Sequence, residues 1–173
     1  HPLHGGTLDN KVAQTLARAF VQAGWRALRF NFRGVGRSGG QWDEGQGEVD
    51  DAMAVLAAET TDSTELAVGG FSFGGYVASQ VAHRLAAAGR PAREIVLIGP
   101  ATANFAVAAV PQGSLVVHGE HDDVVPLTAT LDWARAQSLP VVVVPGGGHF
   151  FHGQLPLLKS IVLRHLGAAR SEA

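Results

Sequence analysis

The segment 66–78 constrains the fold of this chain more than any other stretch of its sequence. An apolar run leads into Gly70-Phe71-Ser72-Phe73-Gly74, and small and apolar residues follow at helical spacing. This pattern predicts a strand, a sharp turn with Ser72 at its apex, and a helix. Glycines on both sides of the serine allow the strand and the helix to approach closely. The first amides of the helix point into the same space, where the helix dipole favours a developing negative charge. Ser72 is therefore a candidate nucleophile, and a glycine-rich turn with an incidental serine is the alternative interpretation.

A second stretch, Gly36-Arg37-Ser38-Gly39-Gly40, has the same spacing of glycine and serine but a different context. The residues after it have loop composition and do not begin a helix. The overlapping glycine pattern at 34–39 also lacks the acidic residue that a dinucleotide site needs at the end of the next strand. The sequence therefore predicts a polar loop at 33–47, without nucleotide binding.

Composition excludes several classes of protein. The chain has 173 residues, a net charge of −2 and no cysteine. One domain of this length buries a sizeable core, and the charge gives no electrostatic reason to bind nucleic acid or a membrane surface. Without cysteine there is no disulfide, thiolate nucleophile or zinc–thiolate site. We expect a cytoplasmic location and no cofactor.

Strand-like and helical patterns alternate along the chain and predict an α/β fold, with a mainly parallel sheet covered by helices on both faces. The first element is a helix from the Asp9-Asn10 cap to Gly24. Strands are predicted at 25–32, 66–70, 93–98, 114–118 and 140–144. Further helices are predicted at 48–59, 74–88, 128–137 and 155–166. A single domain is expected over 1–167, followed by a frayed tail at 168–173. The opening His-Pro-Leu segment resembles a loop that leaves a strand, so we expect residues before His1 to be missing from the sequence.

Polar residues follow two predicted strands at the edge where the Ser72 turn also lies. Asp122 and Asp123 come after strand 114–118, and His149 comes after strand 140–144. The order along the chain is serine, aspartate and histidine, as in α/β-hydrolases. A serine hydroxyl needs a base that takes its proton, and a carboxylate holds that base in one tautomer. Either aspartate fits this role on position alone. A metal site at His118, His121 and the nearby carboxylate is disfavoured, because its ligand set is incomplete.

The chain resembles small, lidless bacterial α/β-hydrolases related to dienelactone hydrolases and carboxylesterases. The resemblance is carried by the residues at 1–6, 9–12, 29–36, 70–74, 118–122 and 148–152. It implies Ser72 as nucleophile, His149 as general base, and Asp122, three positions after a glycine, as the orienting acid. It also implies an oxyanion hole formed by the backbone N–H groups of Phe73 and Leu3. The family's sheet has a further strand immediately before the His-Pro-Leu segment, between strands 25–32 and 66–70. This sequence is expected to lack that strand, which leaves a gap in the sheet.

The connector at 101–113 is too short for a helical lid, so we expect an open, shallow site. Phe105, Phe150 and Phe151 are candidates for an apolar substrate pocket. These features favour a serine carboxylesterase that hydrolyses small soluble esters through an acyl-enzyme intermediate. The alternatives are a non-catalytic binding protein on a hydrolase fold and an acyltransferase or peptidase that uses the same three residues.

Overall fold

The computed structural model describes the backbone of residues 1–171 and the side chains of residues 1–167. Four parallel strands pair in chain order, each with the next. The strands are β1 (Ala67–Phe71), β2 (Glu94–Ile98), β3 (Leu115–Gly119) and β4 (Val142–Val144). The helices are α1 (Lys11–Gln22), α2 (Gln46–Glu59), α3 (Phe73–Ala87), α4 (Leu127–Arg135) and α5 (Leu155–Ser171), and a short 3-10 helix spans Pro2–His4. This is the α/β-hydrolase architecture that the sequence predicts.

Two apolar layers cover the two faces of the sheet. Successive side chains of a strand point to opposite faces, so Ile95 and Leu97 enter one layer while Val96 and Ile98 enter the other. The first layer contains residues of α2, α3 and α4, and the second contains residues of α1 and α5. Burial of β2 on both faces explains why residues 95–98 are a continuous apolar run.

Local hydrogen bonds fix where the first two helices begin. The side chain of Asn10 accepts hydrogen bonds from the amides of Val12 and Ala13, which caps α1. Helix α2 begins after Gly45, two residues before the predicted start. The buried carboxylate of Glu48 accepts hydrogen bonds from the amides of Asp43 and Gly45, at 3.0 and 2.9 Å. This carboxylate ties the end of the 33–45 loop to the helix.

The predicted strand at 25–32 is wrong for the structure as described. Its residues pair with no other strand, and 26–31 form no backbone–backbone hydrogen bond among the described residues. A groove of about 580 Å³ separates this segment from β1, which is the edge strand on that side. The groove lies between 25–32 and β1, where the family resemblance puts a further strand. A strand needs a neighbour to form its hydrogen-bonded ladder, and apolar sequence alone does not supply one.

Two other boundaries differ from the prediction. Strand β4 covers only 142–144, and Val142 and Val143 are partly exposed because β4 pairs with β3 alone at the other edge. Helix α5 continues to Ser171, so the predicted tail is helical over 168–171, and Glu172 and Ala173 lie outside the described residues. No helix in the described part of the chain is long and apolar enough to cross a membrane.

Candidate active site

Ser72 occupies a strained position between β1 and α3. Its φ is 55° and its ψ is −119°, a conformation that non-glycine residues rarely adopt. Four backbone hydrogen bonds hold it there. Its N–H donates to the carbonyl of Ile98 at 2.9 Å, and its own carbonyl accepts from Gly75 at 2.9 Å, from Ala101 at 3.2 Å and from Tyr76 at 3.3 Å. The Ser72 hydroxyl is thus fixed above the carboxyl ends of β1 and β2.

Gly70 is required for this turn because the backbone of α3 passes directly over it. A Cβ atom at Gly70 would lie 1.9 Å from the carbonyl oxygen of Gly74. No heavy atom lies within 4 Å of a Cβ built at Gly74 itself. Of the two motif glycines, the first therefore has the steric role in the close approach of strand and helix.

The imidazole of His149 bridges Ser72 and Asp122. Its Nε2 lies 3.0 Å from Oγ of Ser72, and its Nδ1 lies 2.7 Å from Oδ2 of Asp122. An ionised carboxylate only accepts, so Nδ1 carries the hydrogen and the lone pair of Nε2 faces the serine hydroxyl. The structure therefore brings together the three residues that the sequence singles out, with the imidazole between the hydroxyl and the carboxylate.

Two strand-end loops are joined to hold this arrangement. The N–H of His121, after β3, donates to the carbonyl of Gly147, after β4, at 2.8 Å. A Cβ at Gly119 would lie 2.4 Å from the same carbonyl oxygen, so the loops approach as closely as glycine permits. This contact fixes the separation of the loop that carries Asp122 from the loop that carries His149.

Asp122 is the aspartate that faces His149, and Asp123 is exposed. The amides of Val124 and Val125 donate to its Oδ1 at 2.9 and 2.7 Å, while Oδ2 faces His149. Burial by itself raises the pKa of the Asp122 carboxyl, but the hydrogen bonds from His149 and Val125, with the smaller one from Val124, outweigh it. The pKa of Asp122 is therefore lower than usual, and the group is a carboxylate at neutral pH.

The two predicted oxyanion-hole amides have different surroundings. The N–H of Phe73 begins α3 directly after Ser72 and has no protein acceptor among residues 1–171. An unpaired amide at a helix N-terminus is suited to receive a negative oxygen. The N–H of Leu3 donates to Nδ1 of His1, the N-cap of the 3-10 helix, at 3.2 Å. Its participation in an oxyanion hole stays a prediction, because the structure directs that amide to His1.

Of the three predicted pocket residues, Phe150 lies against the site. Its ring is 44% exposed, and its centroid lies 5.1 Å from that of His149. Phe105 is half-buried beside the turn, and its ring centroid lies 5.1 Å from that of Phe73. Sequence reasoning missed Phe71, the residue before the serine, whose ring centroid lies 4.8 Å from that of His149. Its position directly before the candidate nucleophile is the sequence signal that could have identified it.

Phe151 is not a pocket residue, and this prediction is wrong. Its side chain is fully buried in the apolar layer with Leu158, Val162 and Leu166 of α5. The backbone at Phe151 has a φ of 51°, so the turn sends two consecutive phenylalanines in different directions. The sequence does not reveal such a turn, because phenylalanine rarely adopts a positive φ.

Other polar side chains near the predicted motifs have structural partners. The hydroxyl of Ser38 donates to the carbonyl of Asn31 at 2.9 Å. Arg33 forms a two-pronged ion pair with Asp51, with both distances 2.7 Å. In the part of the chain that the structure describes, no group of three or more histidine and carboxylate side chains could hold a metal ion.

A parallel sheet that carries a serine at a strained strand–helix turn, with histidine and aspartate after later strands, defines the α/β serine hydrolases. Residues 2–112 match the model of the family described as "Serine aminopeptidase, S33". The match covers more than half of the chain, and the chain belongs to this family of α/β serine hydrolases.

Known relatives agree with this assignment. An α/β serine hydrolase homologue from Coxiella burnetii is 38% identical, with a TM-score of 0.82 over 96% of this chain and 81% of that chain. XC6422 from Xanthomonas campestris, described as an α/β serine hydrolase without a lid, is 32% identical, with a TM-score of 0.88 over 97% and 78% of the respective chains. The protein RP471 of Rickettsia prowazekii is 30% identical over 87% of this chain and 68% of its own length. The resemblance to small, lidless bacterial hydrolases is thus confirmed.

Proposed function

We propose that this protein hydrolyses small carboxylic esters through an acyl-enzyme intermediate on Ser72. The observation that carries the proposal is the continuous path from Oγ of Ser72 through the His149 ring to Asp122, with distances of 3.0 and 2.7 Å. His149 takes the proton as Ser72 attacks the ester carbonyl, and Asp122 stabilises the resulting imidazolium. The N–H of Phe73 donates to the oxyanion of the tetrahedral intermediate.

The same groups complete acylation and then carry out deacylation. His149 gives its proton to the leaving alkoxide, which departs as the alcohol and leaves an acyl group on Ser72. A water molecule then enters, and His149 removes its proton as the water attacks the acyl carbonyl. Collapse of this second intermediate releases the carboxylic acid and returns the proton to Ser72. The proton removed in each step is returned by the end of the cycle, and the ester and water are the only reactants needed.

The preference for small esters rests on the connector at 101–113. Its backbone is hydrogen-bonded to the side chains of Ser79 and Gln80 in α3, Trp133 in α4 and Gln137. These bonds hold the connector against the body of the protein, where it is unsuited to act as a lid. An uncovered site with one exposed aromatic ring, that of Phe150, offers little apolar surface to a long acyl chain.

A panel of p-nitrophenyl esters from acetate to laurate tests the proposal, with Ser72→Ala as the blank and Ser38→Ala as the matched control. We expect turnover that is greatest for short chains, absent in Ser72→Ala and unchanged in Ser38→Ala. A rate that jumps at the solubility limit of the ester, or laurate preferred to butyrate, would contradict an open site. If the Ser72→Ala variant and the wild-type protein have equal turnover, Ser72 is not the nucleophile.

The description of the matched family supports a peptidase as the second candidate function. The same residues cleave an amide when the histidine protonates the leaving amine. Amino-acid p-nitroanilides distinguish the two functions, since peptidase activity predicts their turnover with a free amino terminus. A non-catalytic binding protein would hydrolyse neither class and would leave Ser72 unlabelled by a fluorophosphonate.

A further inference from the structure

His118 is a buried titratable residue to which the proposed reaction assigns no role. It lies in β3, four residues before Asp122, and its side chain is completely inaccessible to solvent. Its Nε2 is 2.9 Å from the carbonyl oxygen of Val125 and 3.4 Å from Oδ2 of Asp122. The second atom is the same oxygen that faces Nδ1 of His149.

The protonation of His118 follows from its partners. A backbone carbonyl only accepts, so Nε2 of His118 carries a hydrogen and donates it to Val125. Nδ1 is buried without a partner among the described residues, and a bare lone pair is the form that avoids an orphaned N–H there. Burial lowers the pKa of His118, while the hydrogen bond to Val125 and the charge of Asp122 act in the opposite direction. The ring is therefore neutral at neutral pH.

These contacts close a ring around the Asp122 carboxylate. The N–H of Val125 donates to Oδ1, the carbonyl of Val125 accepts from His118, and Nε2 of His118 lies beside Oδ2. The β3 side chain thus holds the loop that turns at Val125 through its one N–H, and it lies against the oxygen that faces His149. Asp122 and His149 are the charged or titratable groups that act on His118 from the surrounding elements.

We propose that His118 is a positioning residue, which holds Asp122 in the orientation that stabilises the protonated form of His149. This proposal rests on the proposed function, because it acts through the same serine, histidine and aspartate. A neutral ring suits this role, since it holds the Val125 turn, whose amide donates to Oδ1 of Asp122, without adding a positive charge. A cationic neighbour would compete with His149 for the charge of Asp122.

The rate of Ser72 labelling by a fluorophosphonate provides a readout that does not depend on the identity of the substrate. His118→Leu removes the donor, while His118→Gln retains an N–H near the position of Nε2. The matched control is His121→Leu, which changes an exposed histidine in the adjoining loop. We expect His118→Leu to slow labelling about tenfold, as supporting hydrogen-bond partners do at metal-bound histidines. We expect the labelling rate of His118→Gln to lie within about threefold of the wild-type rate. The labelling rate of the His121→Leu control should equal the wild-type rate.

A double variant separates positioning from a purely structural role. If His118 acts through Asp122, His118→Leu has no further effect on labelling in an Asp122→Asn background. An equal loss in both backgrounds, or a His118→Leu variant that labels like wild type, would overturn the proposal. Should the Leu variant fail to fold, His118→Asn against His118→Gln carries the same test, since the shorter amide does not reach Val125.

The labelling readout also distinguishes failure of this inference from failure of the proposed function. If the protein turns over no ester but its Ser72 is labelled rapidly, the esterase proposal fails and the His118 test remains decisive. If esters are hydrolysed and His118→Leu lowers only the melting temperature, the esterase proposal survives and the positioning role is overturned. Absence of labelling in the wild-type protein would overturn both.

Discussion

The carboxyl edge of the sheet and the segment 25–32 are both regions where apolar strand sequence meets polar residues, but they are held in different ways. At the carboxyl edge, backbone hydrogen bonds from neighbouring strand-end loops fix Ser72 and the loop of Asp122. Residues 26–31 have no backbone–backbone hydrogen bond in the described chain. Side chains attach that segment instead, through Arg29 to the carbonyl of Leu8 and through Asn31 to the amide of Leu8.

The difference shows that position in a parallel sheet is set by neighbours more than by a segment's own composition. The strand ends at the candidate site lie side by side because β1 to β4 pair in register. The segment 25–32 is also rich in apolar residues, but a groove separates it from the edge of β1. The site therefore lies in the well-connected part of the molecule, and the following experiments test this contrast.

Replacement of the serine at the carboxyl edge has the largest expected effect. Ser72→Ala should lower kcat by roughly 10⁴–10⁶, because nothing else in the site supplies the attacking oxygen. Steady-state hydrolysis of p-nitrophenyl butyrate measures the loss, and an unchanged melting temperature shows that the fold is intact. Ser38→Ala, near the 25–32 segment, should have full activity, and a comparable loss there would reverse the choice between the two glycine–serine motifs.

Substitutions of the two adjacent aspartates at the carboxyl edge should have very different effects on kcat. Asp122→Asn should reduce kcat by about 10⁴, because an amide does not hold His149 in the required tautomer. Asp123→Asn changes an exposed side chain, and its effect on kcat should be less than about tenfold. The same ester assay applies to both. Equal effects of the two substitutions would mean that the carboxylate at 2.7 Å from His149 is not the orienting acid.

Amide hydrogen exchange compares the backbone of the two regions directly. The amides of 26–30 have no acceptor among residues 1–171 and should exchange at nearly unprotected rates. The amides of Val96 and Leu97, in the central β2, should exchange at least about 10³-fold more slowly, as a domain with a few kcal/mol of stability requires. Exchange followed by mass spectrometry gives both rates. Equal protection would show that the segment pairs with a strand in solution.

Phe150 and Phe151 are consecutive, but we expect Phe151 to stabilise the fold and Phe150 to contact substrate. Phe151→Ala removes a fully buried ring and should lower the free energy of unfolding by about 3–5 kcal/mol, measured by urea denaturation. Phe150→Ala should change that free energy by less than about 0.5 kcal/mol, because Phe150 is 44% exposed and lies outside the two buried layers. It should instead raise KM for apolar esters. A large loss of stability in Phe150→Ala would show that this ring supports the fold.

The sequence predicted the parts of the molecule whose determinants are local. Ser72, Asp122 and His149 each follow a strand within a few residues, so strand order was enough to bring them to one edge. Phe151 and the segment 25–32 depend on information outside any local pattern. The sign of one backbone angle decides where Phe151 points, and the presence of a neighbour decides whether 25–32 is a strand. The sequence suggested His118 only as a disfavoured metal ligand, and its contact with Asp122 depends on the turn at Val125.

We expect the smallest effect on acid stability, which distinguishes two carboxylates of lowered pKa. One is Asp122 at the carboxyl edge, and the other is Asp51 in α2, paired with Arg33 directly after segment 25–32. The hydrogen bond from Arg33, the first residue of the polar loop, lowers the pKa of Asp51 against the effect of burial. At Asp122 burial raises the pKa, and the hydrogen bonds from His149 and the Val125 amide lower it further than burial raises it. In each case the folded protein binds fewer protons than the unfolded chain just below the ordinary aspartate pKa of about 3.9. Each carboxylate therefore stabilises the fold fully above that value, and its contribution is lost as the pH falls through the lowered pKa.

High salt should affect the contributions of Asp51 and Asp122 to stability differently. The Asp51 side chain is 35% exposed, so 1 M NaCl should screen its attraction to Arg33, whereas the Asp122 side chain is fully buried. Melting temperatures of wild type, Asp51→Asn and Asp122→Asn, measured from pH 6 to pH 3 at low and high salt, test this. The destabilisation by Asp51→Asn at pH 6 should shrink in high salt, and that by Asp122→Asn should not. Both should shrink toward pH 3. Equal salt sensitivity would show that solvent reaches the carboxylate behind His149 as readily as the one beside Arg33.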